Sequence, residues 1–196
     1  MDDLEDPVQL WFTGHVDTVY RSLDVLQPAL RAAAAAMQDT LLGDKKLIAG
    51  GTGTGCALAQ LFCAALLSRL SMERPALPVI LIGNDAATLG AIAEGYGHAE
   101  ALARQVQALT APGDTVLLVA GASGTSLAGA VRAAHGRRAR VILLTSMSGQ
   151  EQAPLPGEGD IEIRIPAEEP TRATECQLLV LNCLAELLEQ GIFGSG

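Results

Sequence analysis

The chain has 196 residues, 49% of them apolar and only 3% aromatic, and carries a formal net charge of −9. That length fits a single domain spanning 1–196, with a core built from Leu, Ala, Val and Ile. The acidity excludes a general nucleic-acid surface, which needs clustered Lys and Arg; the one basic cluster, Arg137, Arg138 and Arg140, reads as a solvated loop.

Asp6-Pro7 reads as a helix N-cap followed by the first helical position. Leu10, Val16, Val19, Leu23 and Leu26 then recur at roughly helical spacing. Pro28 is expected to open a second helix through Ala32 to Ala36, ended by Gly43. Lys46 to Gly50 reads as a short buried strand, and Cys56 to Leu70 as a helix broken by Glu73-Arg74-Pro75. Val79 to Ile82 is the next strand, followed by helices over Ala86 to Ala93 and His98 to Leu109 and a turn at Pro112-Gly113-Asp114. Thr115 to Ala120 is a third strand, Ser126 to His135 a helix and Val141 to Thr145 a fourth strand. Gln150 to Gly159 is a Pro-, Gly- and Glu-rich loop, Ile161 to Ile165 a fifth strand, and Thr171 to Gln190 the last helix. Strands alternating with helices predict an α/β fold, a five-stranded parallel sheet flanked by helices, with ligands bound at the carboxyl ends of the strands.

Two loops stand at such ends. Gly50-Gly51-Thr52-Gly53-Thr54-Gly55 and Gly121-Ala122-Ser123-Gly124-Thr125-Ser126 each follow an apolar run and open a helix. That geometry aims backbone N–H groups and hydroxyls at an anion. Thr52, Gly53, Thr54 and Gly55, with Ser123, Gly124, Thr125 and Ser126, are therefore the candidate ligand-binding residues. The first loop lacks both the Gly-x-Gly-x-x-Gly spacing of a dinucleotide site and the Gly-Lys-Ser/Thr of a P-loop, and no cofactor is implied. Part of the second loop's hydroxyl content is explained by helix capping.

Groups for chemistry are sparse. His15 falls on an amphipathic helix, His98 near the Gly95 to Gly97 break, and His135 at a helix C-terminus, with no nucleophile–base pattern among them. Cys56, Cys63, Cys176 and Cys183 show no Cys-x-x-Cys spacing and read as small core residues in a reducing cytosol. The acidic start is unlike a signal peptide, and the apolar stretch from Leu178 to Leu188, carrying Asn182 and Glu186, is too short to cross a bilayer. A cytoplasmic protein away from the membrane is expected. Gly191 should stop the last helix, leaving Ile192 and Phe193 as a bulky pair that could contact a partner.

Several ordered stretches carry a resemblance: Ala59-Gln60-Leu61-Phe62 after the first loop, Glu73 to Pro78, Arg104 to Leu109, Pro112-Gly113-Asp114, Ser123 to Ser126, Ile161 to Pro166, and Leu181-Asn182-Cys183-Leu184. Over nearly its whole length the chain resembles SIS-domain (sugar isomerase) proteins of the phosphoheptose isomerase group. The resemblance implies a five-stranded parallel sheet and a homotetramer, with the helices of residues 1–44 packed between subunits.

In that group a Glu after the first loop and a His on the last helix carry the proton between the first two carbons of the sugar. The matching positions here are Ala65 and Asn182, and the group's metal positions read Leu61, Ala65, Thr174 and Asn182. Thr52 and Gly55 replace an Asn and a Ser of the first loop; Gly121 and Ala122 replace a Ser and a Thr of the second; Gly95 stands near an Asp position. No catalytic or metal-binding residue is therefore expected. The chain resembles most the non-catalytic branch that associates with the replication initiator, which shares the Asn of Leu181-Asn182-Cys183-Leu184. The implied partners are a replication initiator protein and, residually, a sugar phosphate. The alternatives are a phosphoheptose isomerase recruiting Glu175, Glu94 or His98, or a phosphosugar sensor without turnover.

Overall fold

The structure, a computed structural model, describes residues 6–121, 127–148, 157 and 159–194. Helix α1 spans Pro7–Leu42, with the Asp6 carboxylate accepting from the Val8 N–H at 3.0 Å and Gly43 as C-cap. Strand β1 (Leu47–Gly51), α2 (Thr54–Leu67), β2 (Val79–Leu81) and α3 (Ala86–Tyr96) follow. After a 3-10 turn at His98–Glu100 come α4 (Ala101–Leu109), β3 (Thr115–Val119), α5 (Ala128–Gly136), β4 (Arg140–Ser146), β5 (Ile161–Ile165) and α6 (Pro170–Phe193).

The five strands are all parallel, in the order β2-β1-β3-β4-β5. The order reverses between β1 and β3, and ligand crevices form at such switch points. Strand residues alternate between two cores. Leu47, Ala49, Leu117, Val119, Ile142 and Leu144 face α1, α2 and α6, while Ile48, Val116, Leu118, Val141 and Leu143 face α4 and α5. Being covered on both faces, these strands are continuous apolar runs. At the amino edge of the sheet the Asp114 carboxylate, 1% exposed, accepts from the Lys46 N–H at 3.1 Å and from its Nζ at 2.6 Å.

Three differences from the sequence reading have a clear physical cause. Pro28 opens no second helix: α1 runs through it unbroken. Proline removes the hydrogen bond to the carbonyl of Asp24, but Asp24 and Pro28 both face solvent, so that carbonyl is open to hydration, while Leu26, Ala33, Ala34 and Met37 hold the inner face in the core. Helix α2 ends at Leu67 rather than Leu70. Arg74 donates to the carbonyls of Ala65 and Leu66, each at 2.8–2.9 Å, and the Glu189 carboxylate takes the amides of Leu70, Ser71 and Met72. Gly191 does not stop α6, which continues to Phe193 with Gly194 as C-cap at φ 88°. Gly191 serves close packing instead. A Cβ there would overlap the Gln38 carboxamide, whose Nε2 donates to the Leu187 carbonyl at 2.8 Å.

At 24 residues α6 is long and apolar enough to cross a membrane by length and composition, unlike the shorter stretch read from the sequence. In this fold it is a core helix, burying Cys176, Val180, Leu181, Leu184 and Leu188 against α1 and α2.

Candidate functional site

Gly51 and Val119 are register partners at the ends of β1 and β3, so the two loops leave the sheet side by side. Thr52 is buried and binds across to the neighbouring strand end. Its N–H donates to the Val119 carbonyl at 3.0 Å, and its Oγ1 accepts from the Gly121 N–H at 3.2 Å. Gly53 is the N-cap of α2, Thr54 its exposed first residue, and Gly55 is buried. At Gly55 a Cβ would run into the Val119 backbone, so only glycine lets α2 start this close to β3.

A cavity of about 240 Å³ opens over these ends, lined by Thr52, Gly53, Cys56, Gly83, His98 and Leu102 among others. Of the candidate ligand residues, Thr52 and Gly53 line it, whereas Thr54 and Gly55 do not. Ser123, Gly124, Thr125 and Ser126 lie outside the described residues. Cys56 donates its thiol proton to the Gly51 carbonyl at 2.9 Å, and burial pushes its pKa above the ordinary thiol value of 9.0. A protonated thiol in that position is a poor nucleophile. His98 brings the imidazole of the cavity.

The positions matching the isomerase proton shuttle carry no ionisable group. Ala65 is half-buried against the core of α1, α2 and α6, and Asn182 is exposed on α6. Leu61 is 53% exposed, and the Thr174 hydroxyl donates back to the Pro170 carbonyl at 2.9 Å. Among the described residues no group of three or more His, Cys, Asp or Glu stands together to hold a metal ion.

Three further arrangements left no trace in residue spacing. His15 Nδ1 lies 2.7 Å from Glu175 Oε2, joining α1 to α6. Arg172 reinforces the joint, reaching Glu175 at 3.1 Å and the Trp11 carbonyl at 2.6 Å while lying over the Trp11 ring at 4.1 Å. The buried Gln177 donates to the Ala120 carbonyl at 2.9 Å, behind the second loop. At the end of α6, Ile192 packs partly against the core, and Phe193 is 41% exposed.

This cleft lies at the switch point between β1 and β3, the place where open α/β sheets take their ligands. The SIS-domain family profile matches residues 11–146, and the chain belongs to that family. It is 35% identical over 195 residues to a phosphoheptose isomerase of Chromohalobacter salexigens, covering 98% of each chain. It is 37% identical over 192 residues to the DnaA initiator-associating protein DiaA of Shigella flexneri, covering 97% of each. In structure it is similar to a phosphoheptose isomerase from Francisella tularensis, with a TM-score of 0.87 and 31% identity over 97% of this chain and 100% of that one.

Proposed function

We propose that this protein is a non-catalytic SIS-domain module, one domain over 1–196, that holds a sugar phosphate in the switch-point cleft and works through protein–protein contacts in the cytoplasm. One observation carries this reading: the two positions where the isomerase resemblance places its acid and base hold a methyl group and a carboxamide, Ala65 and Asn182. Neither exchanges a proton near neutral pH, and enolisation needs a positioned base. The similarity to DiaA supports an initiator-type partner, and a net charge of −9 favours a basic one. Homotetramer formation is supported by α1, which leaves Val8, Trp11, Phe12, Val16, Tyr20 and Leu23 about half or more exposed beside an apolar groove of about 700 Å³. Phe193, with the outer edge of Ile192, is the proposed partner contact.

The test is turnover. Purified protein given sedoheptulose 7-phosphate is expected to form no aldose product while being stabilised against heat by the same compound, since a ligand of the native state raises its stability. The competing isomerase reading is favoured by one feature, the presence of His98 in the cavity. Turnover abolished by His98→Ala would establish it and overturn ours.

A further inference from the structure

The turns that enter β1, β3 and β4 lie side by side at the amino edge of the sheet, where Leu47, Thr115 and Arg140 are register partners. The switch-point cleft is at the other end of these strands, about 17 Å away along a five-residue strand. The amino edge gathers Lys45, Lys46, Arg137, Arg138 and Arg140, five of the 13 Lys and Arg in a chain of net charge −9. Two of them are spent on structure. Lys46 pairs with the buried Asp114, and Arg137 Nε donates to the Thr110 carbonyl at 2.8 Å.

The other three line a cavity of about 260 Å³, together with Asp39, Gly113 and Asp114 among others. Asp114 repels nothing there, because both its oxygens accept from Lys46 and one also accepts from the Ala111 N–H. The side chains of Lys45 and Arg138 have no hydrogen bond or ion pair among the described residues. Arg140 reaches the Ala36 carbonyl only at 3.5 Å. Lys45, Arg138 and Arg140 less Asp39 leave the lining two net positive charges.

The backbone at Arg138 shows that the position serves a side chain. Helix α5 closes with the Arg138 N–H donating to the His135 carbonyl at 2.8 Å and the Ala139 N–H to the Ala134 carbonyl at 3.0 Å. The residue in Arg138's place of this closing turn takes a left-handed backbone, here φ 58°, and glycine is its usual occupant. Here an arginine stands in glycine's place. Attraction to the carboxyl end of α5 favours a cation nearby, but Arg137 is one residue closer. The turn also fixes the root of Arg138 beside Gly113, whose N–H donates to the Arg138 carbonyl at 3.2 Å.

We propose that this amino-edge cavity is an anion site separate from the cleft, taking the phosphoryl group of a small phosphate-bearing ligand between Lys45, Arg138 and Arg140. Guanidinium forks match phosphate oxygens in pairs, and the ammonium adds a point charge. The chemistry recognised is a phosphoryl group, whether of inorganic phosphate or of an organic monoester. The inference stands apart from the sugar-phosphate reading of the cleft.

Inorganic phosphate and phenyl phosphate are titrated into the isotope-labelled full-length protein at constant ionic strength, with sodium chloride as control. NMR follows the Gly113 amide, and the Gly53 amide reports on the cleft separately. Gly113 is expected to respond saturably to phosphate and not to chloride. Arg138→Gly suits φ 58° and removes the guanidinium. It is expected to keep a thermal midpoint no lower than wild type and to weaken binding at Gly113 about tenfold or more, with any Gly53 response unchanged. The double variant Lys45→Gln with Arg140→Gln is expected to weaken it comparably, and it decides the matter by itself should Arg138→Gly fail to fold. Tighter binding of phenyl phosphate identifies an organic monoester as the ligand; tighter binding of inorganic phosphate identifies the free ion. A Gly113 response that does not saturate, that chloride reproduces, or that keeps wild-type affinity in these variants overturns the proposal.

Discussion

At the far end of α2 the protein buries a complete ion pair. Arg74 and Glu189 have side chains 1% and 0% exposed and lie 2.9 Å apart. The carboxylate also accepts from the amides of Leu70, Ser71 and Met72 and from the Ser71 hydroxyl. Arg74 also donates to the carbonyls of Ala65, Leu66 and Pro75. Earlier in the same helix, where the isomerase resemblance places its metal ligands and base, stand Leu61 and Ala65. The fold thus keeps charge where each charged nitrogen and oxygen has a partner and has none where a proton would have to move. An ion pair satisfied on all sides holds a chain crossing in place; a catalytic carboxylate must be left partly unmatched to do its work.

Removing one member of the matched pair should give the largest effect. Glu189→Ala strands a buried guanidinium and three amides, and is expected to cost about 3–5 kcal/mol in urea unfolding at neutral pH. Burial pushes the Glu189 carboxyl up, but the backbone donors and Ser71 together outweigh it and hold it down at about 2, from an ordinary 4.5. The folded value lies below the unfolded one, so the stabilisation is full above about pH 4.5 and is lost as pH falls toward 2. Wild-type stability should decline through that window, and the Glu189→Ala profile should lack this component. A Glu189→Ala profile parallel to wild type would show that the pair is not as matched as its geometry indicates.

The opposite experiment puts charge back where it is missing. Ala65→Glu combined with Asn182→His is expected to bring sedoheptulose 7-phosphate isomerisation, undetectable in the wild type, to about 10²-fold above the uncatalysed background, the usual contribution of a positioned acid and base. Failure, with binding intact, would mean that the cleft has lost more than its proton shuttle.

The smallest effect belongs to Gly191→Ala. Alanine gains about 1 kcal/mol of helix propensity over glycine, while the added methyl displaces Gln38 and forfeits its bond to Leu187, worth about 1 kcal/mol. Thermal unfolding should therefore shift little. A large loss would show that the α1–α6 crossing is too rigid for Gln38 to swing aside.

Much of the fold was legible because buried parallel strands announce themselves as short apolar runs; β5 falls at Ile161–Ile165 as read. The boundaries that were missed are set by partners remote in sequence. Nothing local to Leu67 reveals that Glu189 will claim the next amides, and nothing local to Gly191 reveals Gln38 against its Cα. Pro28 reads as a breaker because propensity says nothing about which face of a helix meets water. In the site, the first loop could be seen from its glycines. The Thr52–Gly121, Gln177–Ala120 and His15–Glu175 contacts could not, since side chains that meet only through the tertiary fold share no periodicity.

Helix α1 has one more consequence. At 36 residues it runs about 54 Å, while a five-residue strand such as β1 runs about 17 Å. Its first buried residue is Thr18, and the turns before it are tied to the domain through the contacts of Trp11 and His15 with Arg172 and Glu175 of α6. The amides of those turns depend on this joint rather than on the sheet's cooperative unit, and can open with it while the rest stays closed. Whatever grips those turns can thus order them, or let them go, without unfolding the body of the molecule.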